Sequence, residues 1–238
     1  AQGAAALDRL VGMFAFALWD RERRELLLAR DRLGIKPLVY APLAGGGLAF
    51  ASEIRALRRH PGVDLALDRE ALSEYLACLY VPAPRTIHAG IRKLPPGHLL
   101  RWRGGAAEIK CYWRPRLAGT AAPSRDEAVE ALLPLLRQAV VDRMVADVPV
   151  GCFLSGGIDS SVIAALMAEE AGARGGPPVR SFTMTFDEPA YDERDAPAAA
   201  AGHLGCAHTA PPPCARSLDP LDVALRAVTQ PLCHPSPL

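Results

Sequence analysis

Short apolar runs separated by turn residues fill the first half of the chain, and this pattern predicts antiparallel β-hairpins. One pair of runs, residues 14–20 and 25–29, flanks the polar cluster Arg21-Glu22-Arg23-Arg24, which we interpret as a solvated turn. Two further pairs flank glycines, residues 38–40 with 48–51 and residues 99–102 with 109–113. A helical pattern through Leu72, Tyr75 and Leu76 follows Asp68. We therefore expect this half to be antiparallel sheet with little helix.

The pattern changes after residues 118–123, a stretch of small residues that ends in Pro123, which we interpret as a linker. Ser124 and Glu127 have the spacing of a capping box and precede apolar residues at helical spacing: Leu132, Leu136, Ala139, Val140 and Met144. The apolar run 150–154 predicts a fully buried parallel strand. A helix over 160–171, ended by Gly172, and a strand over 180–186 follow. This order is typical of an α/β domain, so we expect domains over 1–117 and 124–238.

Composition and charge exclude several classes of protein. Of 238 residues, 27 are basic and 26 acidic, and the net charge of +1 leaves no footprint for nucleic acid or a membrane surface. No apolar run is long enough to span a bilayer, and nothing resembles a signal peptide. Six cysteines without a CxxC pair are typical of free thiols in a reducing compartment, so we expect a cytoplasmic protein. We interpret Cys78 and Cys111 as small buried residues. Because the chain opens with Ala1 rather than Met, we expect a fragment.

The strongest chemical signal is Ser155-Gly156-Gly157-Ile158-Asp159-Ser160-Ser161, between the predicted strand and the predicted helix. The glycines allow a tight turn and close approach of a ligand. Amides that open a helix lack intrahelical partners, and the three hydroxyls add donors. These groups predict a site for phosphate or pyrophosphate. The negative charge of Asp159 would repel a bare phosphate, so its presence indicates that Mg²⁺ lies between the carboxylate and the phosphate. The alternative to a phosphate site is an ordinary glycine turn with a polar N-cap residue. The position of the segment between a predicted strand and a predicted helix argues against this alternative.

This segment resembles the signature of the ATP pyrophosphatases, which cleave ATP to AMP and pyrophosphate to adenylate a substrate. The preceding Asp147-Val148-Pro149-Val150-Gly151-Cys152-Phe153-Leu154 looks like asparagine synthetase. The same is true of Tyr191-Asp192-Glu193 followed by His203-Leu204-Gly205 and His208. His203, Cys206 and His208 also suggest zinc ligands, but no fourth ligand stands at a usable spacing, so a polar helix end is favoured.

The first half resembles glutamine amidotransferases of the N-terminal-nucleophile type. The resemblance rests on residues 10–20, on Arg30-Asp31-Arg32-Leu33-Gly34-Ile35-Lys36-Pro37-Leu38, and on Ala51-Ser52-Glu53-Ile54. Arg85-Thr86-Ile87 and Leu94-Pro95-Pro96-Gly97-His98 continue it. The chain as a whole thus resembles glutamine-hydrolysing asparagine synthetases. This implies a truncated α+β N-terminal-nucleophile glutaminase half-domain with antiparallel sheets, then a truncated α/β parallel-sheet ATP pyrophosphatase domain.

The resemblance also implies an activity and a set of binding residues. The family adenylates the aspartate side chain with Mg-ATP, and ammonia from glutamine displaces AMP. Residues Ser155, Gly156, Gly157, Asp159, Ser160 and Ser161 then bind pyrophosphate, with Asp159 at Mg²⁺. Leu154 and Met184, at the ends of two adjacent strands, match positions that contact the adenosine. In the resemblance, the glutaminase Cys nucleophile lies outside this chain, so no catalytic residue is assigned here. The resemblance also allows the full-length protein to form a homodimer.

Two departures from the family concern the acceptor substrate. In Thr229-Gln230-Pro231-Leu232-Cys233-His234-Pro235-Ser236, Gln230 replaces an acidic residue and His234 replaces an Asp. The alternatives are a related adenylating enzyme, such as a β-lactam synthetase, that uses another carboxylate, or a nucleotide-binding relative without catalysis.

Overall fold

The computed structural model describes residues 3–116, 123–185, 194–212, 228 and 230–231. The predictions that concern residues 118–122, Phe186, Tyr191-Asp192-Glu193 and His234 therefore lie outside the described residues. Two compact units are present, one over residues 3–116 together with 228 and 230–231, and the other over residues 123–185 and 194–212. Within the described residues, no helix combines the length and the apolar character that crossing a membrane requires.

The first unit consists of short strands and little helix. A 3-10 helix, Gly3–Arg9, precedes β1 (Ala15–Asp20), β2 (Glu25–Arg30), β3 (Val39–Pro42), β4 (Leu48–Ala51), α1 (Ile54–Leu57), α2 (Arg69–Cys78), β5 (Arg92–Lys93), β6 (His98–Arg103) and β7 (Ala106–Cys111). One antiparallel sheet has the order β1-β2-β6-β7 and the other β4-β3-β5. The three predicted hairpins and the predicted helix after Asp68 are confirmed.

The core of this unit includes side chains from both sheets. Leu26, Leu28 and Leu100 of the first sheet belong to one buried cluster with Leu38, Tyr40 and Leu94. The opposite face of the first sheet buries Leu27, Ala29 and Leu99 against Leu7 of the 3-10 helix. Alternate residues of β2 thus face two cores, which is why the sequence of that strand is a continuous apolar run.

The segment that follows β2 is held by its own backbone. Asp31 is 1% exposed, and its carboxylate accepts hydrogen bonds from the amides of Leu33, Ile35 and Lys36. Burial alone raises the pKa of Asp31, but the backbone hydrogen bonds together hold that pKa below its ordinary value. The Arg30 guanidinium donates to the carbonyls of Gly34 and Lys36, among others. This motif therefore has a structural role in shaping its loop.

Two expectations for the cysteines and the last hairpin are wrong. Cys78, at the C-terminal end of α2, is exposed because the following Leu79 adopts a left-handed backbone that ends the helix at the surface. Cys111 is only half-buried. Strand β7 ends at Cys111 rather than at Trp113, because the Tyr112 and Trp113 amides both donate to the Gly97 carbonyl.

The second unit is a parallel sheet with helices. It contains α3 (Arg125–Arg143), β8 (Gly151–Phe153), α4 (Ile158–Ala173), β9 (Arg180–Phe182), α5 (Asp195–Leu204) and β10 (Ala207–Thr209), and the strand order is β10-β9-β8. The capping box is confirmed: the Ser124 amide donates to Glu127 Oε2 at 2.8 Å, and the Glu127 amide donates to Ser124 Oγ at 3.3 Å. Under the sheet, Leu154, Ala164 and Ala201 form a buried cluster.

Three predictions for this unit need correction. Strand β8 is not fully buried: Cys152 packs on the buried cluster, whereas Phe153 is 79% exposed. Helix α4 starts at Ile158 and ends at Ala173, so Gly172 lies inside it. Strand β9 ends at Phe182, before the predicted boundary. The strand β10 was not predicted.

Candidate functional site

The predicted binding residues meet at one edge of the parallel sheet. Phe153 pairs with Phe182, so the segments that leave β8 and β9 emerge side by side. The first leads through Leu154 into the loop 155–157 and the start of α4, and the second leads to Met184. The carboxyl edge of a parallel sheet is the usual position for a ligand in α/β proteins. The structure thus brings the loop and Met184 to a common edge.

Hydrogen bonds between serines and backbone shape the loop. Ser160 Oγ accepts from the Ser155 amide at 3.2 Å, lies 3.0 Å from Ser155 Oγ, and donates to the Gly157 carbonyl at 3.2 Å. The Gly157 amide points at Ser155 Oγ at 3.4 Å. These bonds pull the loop back on the first turn of α4. Ser155 and Ser160 therefore define the loop's conformation.

The start of α4 has no side-chain cap. Its N-cap residue is Gly157, and no side chain accepts a hydrogen bond from the first-turn amides. By contrast, Asp68 caps α2 and Ser124 caps α3. The first intrahelical bond runs from the Ser161 amide to the Gly157 carbonyl. The preceding amides of this 16-residue helix stay available to an anion at the positive end of the helix dipole.

The two loop glycines have different structural requirements. Gly156 has φ +75°, and a Cβ built there would lie 2.8 Å from Ala196 Cβ at the start of α5. Gly157 has an ordinary φ of −73°, and a Cβ there would meet only Ser155 Oγ, at 3.4 Å. The fold therefore requires glycine at position 156, because the backbone there is left-handed and packs closely on α5. It leaves the face of Gly157 open, as a closely approaching ligand requires.

Asp159 lies in the first turn of α4 and is exposed. Among the described residues, no cationic side chain forms an ion pair with it, and no group of three or more His, Cys, Asp and Glu side chains is arranged for a metal ion. Mg²⁺ commonly uses one or two carboxylates together with substrate phosphates and waters. A single exposed carboxylate beside the uncapped start of α4 fits that donor set.

Leu154 and Met184 have opposite environments. Leu154 is 1% exposed, its amide donates to the Phe182 carbonyl at 2.8 Å, and its carbonyl accepts from Thr183 Oγ1. Its side chain thus supports the loop from below. Met184 is 59% exposed at the sheet edge. The buried Thr183 and Thr185, which flank Met184, were missed by sequence reasoning, although the alternation Thr-Met-Thr after a strand is a signal for them.

The cysteine and histidines near the sheet show structural roles. Cys152, Ser181 and His208 are paired across β8, β9 and β10, and Ser181 Oγ lies 2.9 Å from His208 Nδ1. Burial, with a smaller effect of Cys206, raises the pKa of the Cys152 thiol, which disfavours the nucleophilic thiolate. His203 lies in the last turn of α5, so the prediction of a polar helix end is confirmed.

Two family models match consecutive parts of the chain. Residues 1–113 match the glutamine amidotransferase domain, and residues 131–237 match the asparagine synthase domain. The first match covers the unit with antiparallel sheets, and the second covers the parallel sheet and its loop. An amidotransferase domain followed by a synthase domain defines the class of protein.

Similar curated proteins agree with these matches. The chain is 41% identical over 215 residues to a putative glutamine-hydrolysing asparagine synthetase of Mycobacterium tuberculosis, covering 87% of this chain and 32% of that protein. It is 38% identical over 183 residues to asparagine synthetase 3 of Bacillus subtilis, covering 76% and 30%. It is 36% identical over 204 residues to the amidase chyE of Penicillium rubens, covering 78% and 29%.

The chain belongs to the glutamine-hydrolysing asparagine synthetase family. It spans about a third of the length of the curated relatives that it matches.

Proposed function

We propose that the full-length protein that contains this chain is an ATP-dependent ligase. In the proposed reaction, the side chain of aspartate is adenylated to β-aspartyl-AMP with release of pyrophosphate. Ammonia from glutamine then displaces AMP to give asparagine. The observation that carries the proposal is the uncapped start of α4 beside the open face of Gly157. A helix terminus with free amides and no obstructing Cβ suits the phosphates of ATP.

The two domains divide this chemistry. In the proposal, residues 1–117 belong to an N-terminal-nucleophile glutaminase domain, 118–123 link the domains, and 124–238 belong to an ATP pyrophosphatase domain. The glutaminase nucleophile is a Cys outside this chain, so these residues would support the glutaminase site without supplying the attacking thiol. The substrates are small molecules: glutamine, aspartate and ATP.

Each loop residue has a proposed part in binding ATP. The amides at the start of α4 and the hydroxyls of Ser155, Ser160 and Ser161 would bind the pyrophosphate portion. Asp159 would hold Mg²⁺, which neutralises phosphate charge when bound. Gly157 allows the close approach, and Gly156 fixes the loop on α5. Met184 would contact the adenosine with its exposed surface, and Leu154 would support the contact from the buried side.

A second candidate keeps the adenylation and changes the acceptor. Gln230 and His234 replace acidic residues that the family usually has, and one relative is named an amidase rather than an asparagine synthetase. Loss of negative charge near an acceptor site would alter which substrate is favoured. In this candidate, a carboxylate other than aspartate receives the AMP group.

The test is pyrophosphate release by the full-length protein with Mg-ATP. Aspartate, other amino acids with a side-chain carboxylate, and larger carboxylic acids are compared, with ammonia or glutamine as nitrogen source. Aspartate-dependent release of pyrophosphate and AMP supports the first candidate. Release with another carboxylate alone supports the second. If no carboxylate elicits AMP while ATP still binds, the ligase proposal fails and a nucleotide-binding protein without catalysis is favoured.

A further inference from the structure

The parallel ladder between β8 and β9 ends in an unusual way. The Leu154 amide donates to the Phe182 carbonyl at 2.8 Å, as the parallel register requires. Continuing that register, the Leu154 carbonyl would accept from the Met184 amide. Instead, the hydroxyl of Thr183 donates to the Leu154 carbonyl. A side chain thus occupies the place of a backbone donor at the edge where the loop begins.

Two buried threonines hold the strand extension on both sides of Met184. The Thr183 amide donates to the Thr209 carbonyl at 3.1 Å, and the Thr185 hydroxyl donates to the Pro211 carbonyl. Both threonines are buried, whereas Met184 between them is exposed. The extension is therefore anchored to its two neighbours through residues 183 and 185. Among the described residues, no acceptor receives the Met184 amide hydrogen.

An unpaired amide at this edge has a chemical preference. An N–H group next to a phosphate site can donate to a ring nitrogen of a nucleobase. The adenine ring presents an unprotonated nitrogen at position N1, whereas guanine carries a hydrogen there and repels a donor. A site that is built to hydrogen-bond one partner discriminates strongly against an analogue that leaves the group unpaired.

We propose that Thr183 is a positioning residue for nucleotide recognition: by occupying the Leu154 carbonyl, its hydroxyl leaves the Met184 amide free to bind adenine. Thr185 supports this arrangement by anchoring the far side of Met184. The inference rests on the proposed function, because it needs a nucleotide whose phosphates lie at the loop 155–157. It adds that recognition of the base is set by a buried hydroxyl that does not itself touch the nucleotide.

The experiment measures equilibrium binding to the full-length protein by calorimetry, with ATP, GTP and inorganic tripolyphosphate as probes. Thr183→Val and Thr183→Ala remove the hydroxyl, and Thr183→Ser keeps it. Thr209→Val is the matched control, because Thr209 lies exposed on the neighbouring strand and accepts the Thr183 amide with its backbone carbonyl, which the substitution keeps. Circular dichroism and melting temperature identify the variants that keep the native fold, and either hydroxyl-free variant that does so decides the question.

We expect the hydroxyl-free variants to bind ATP roughly 3- to 10-fold more weakly, the effect of one lost hydrogen bond. Tripolyphosphate binding should change less than about 2-fold, since tripolyphosphate has no base to contact the Met184 amide. The preference for ATP over GTP should shrink accordingly, and Thr183→Ser and Thr209→Val should behave as the wild type.

Three results would overturn the inference. One is wild-type ATP affinity in a folded hydroxyl-free variant. Another is an equal loss of ATP and tripolyphosphate affinity, which would make Thr183 a support of the phosphate loop alone. The third is a wild-type protein that binds ATP no better than tripolyphosphate, which would leave the phosphate site standing without base recognition. Failure of the proposed phosphate site looks different, because the wild type would then bind neither ATP nor tripolyphosphate. Failure of the ligase activity alone would leave these binding measurements unchanged and would be seen only as absent AMP release.

Discussion

Gly156 and Gly157 are adjacent in the sequence, but they differ in what a methyl group would do. At Gly156 the methyl group must fit beside Ala196 at 2.8 Å and accept a left-handed backbone, which together cost about 1–3 kcal/mol. At Gly157 it meets only Ser155 Oγ at 3.4 Å, so we expect a cost of at most about 1 kcal/mol. Gly157→Ala should nevertheless weaken ATP binding by roughly 10-fold or more, because the methyl group covers the amides.

Melting temperature and ATP affinity of the two full-length variants separate these effects. We expect a lower melting temperature chiefly for Gly156→Ala, and a lower ATP affinity at nearly native stability for Gly157→Ala. Unchanged ATP affinity in Gly157→Ala would show that the phosphates do not approach this face.

Asp159 provides a test of the proposed Mg²⁺ position. Asp159→Asn keeps the side-chain shape and removes the charge, so the fold should persist while pyrophosphate release falls on the order of 10²–10³. Asp126→Asn is the control, because Asp126 is also an exposed acid in the first turn of a helix, α3. The rate is measured as a function of Mg²⁺ concentration. If Asp159→Asn keeps the Mg²⁺ dependence of the wild type, Asp159 does not bind Mg²⁺ and acts only as a negative charge at the start of α4.

Lys93 in the first unit predicts a pH-dependent stability. Burial and, to a smaller extent, nearby Arg30 lower its pKa to about 8, although Glu74 opposes both. The folded state thus releases this proton near pH 8, whereas an unfolded lysine keeps it to about pH 10.4. Between these values the unfolded state binds more protons, so the contribution of Lys93 to stability rises with pH. At neutral pH, the buried charge is destabilising.

The measurement compares melting temperatures of the full-length wild type and Lys93→Met from pH 7 to pH 10. We expect the difference in melting temperature, variant minus wild type, to fall as the pH rises through 8, whatever its value at pH 7. Lys110→Met, at an exposed lysine paired with Glu108, should give a difference that does not vary with pH. A constant difference for Lys93→Met would contradict a proton released near pH 8.

At the scale of elements, the sequence was informative where local chemistry decides the structure. The three hairpins follow from apolar runs around turn residues, and the start of α3 follows from Ser124 and Glu127. The end of α4 was predicted wrongly because a glycine near the end of a helix can either lie in its last turn or terminate it with a left-handed backbone. Gly172 lies inside the helix, and Gly175, with φ +65°, ends it: the Gly176 amide donates to the Ala171 carbonyl and the Gly175 amide to the Gly172 carbonyl.

This difference between the two glycines predicts opposite effects of the same substitution. Gly172→Ala adds a methyl group that contacts nothing within 4 Å outside its own helix, so it should stabilise α4 by about 0.5–1 kcal/mol. Gly175→Ala also meets no atom within 4 Å, but its left-handed backbone should cost about 1–2 kcal/mol. Hydrogen exchange of the amides in 158–173 of the full-length protein measures both changes. Equal effects of the two substitutions would contradict this assignment of the helix end.

The candidate site was predictable only in part. The loop order Ser-Gly-Gly-x-Asp-Ser between a strand and a helix is a local pattern, so residues 155–161 could be found from the sequence. The contact of Gly156 with α5 and the bond from Thr183 to Leu154 join residues that are far apart in the chain. Such pairings follow from strand order and register, which a single sequence does not contain.

At the scale of the whole molecule, exposed apolar side chains are present in both units. Leu18 is 56% and Trp19 48% exposed on β1, the edge strand of its sheet. In the second unit α3 buries none of its residues, and Phe153 is exposed on β8. Parallel sheets usually have both faces covered, and open apolar edges promote association. The curated relatives, which are about three times as long, contain much more chain than these 238 residues.

Expressed alone, residues 1–238 should therefore aggregate or melt without a cooperative transition, and should show neither glutamine hydrolysis nor ATP–pyrophosphate exchange. A partly covered core offsets less of the backbone ordering cost, which is roughly 1–2 kcal/mol per residue. Light scattering, a thermal melt and the two activity assays test this expectation. Leu18→Lys and Phe153→Lys, which place a charge on each exposed apolar surface, should reduce the scattering, whereas Leu28→Lys, in the buried core, should increase it. A sharp transition accompanied by either activity would show that these surfaces need no further chain to cover them.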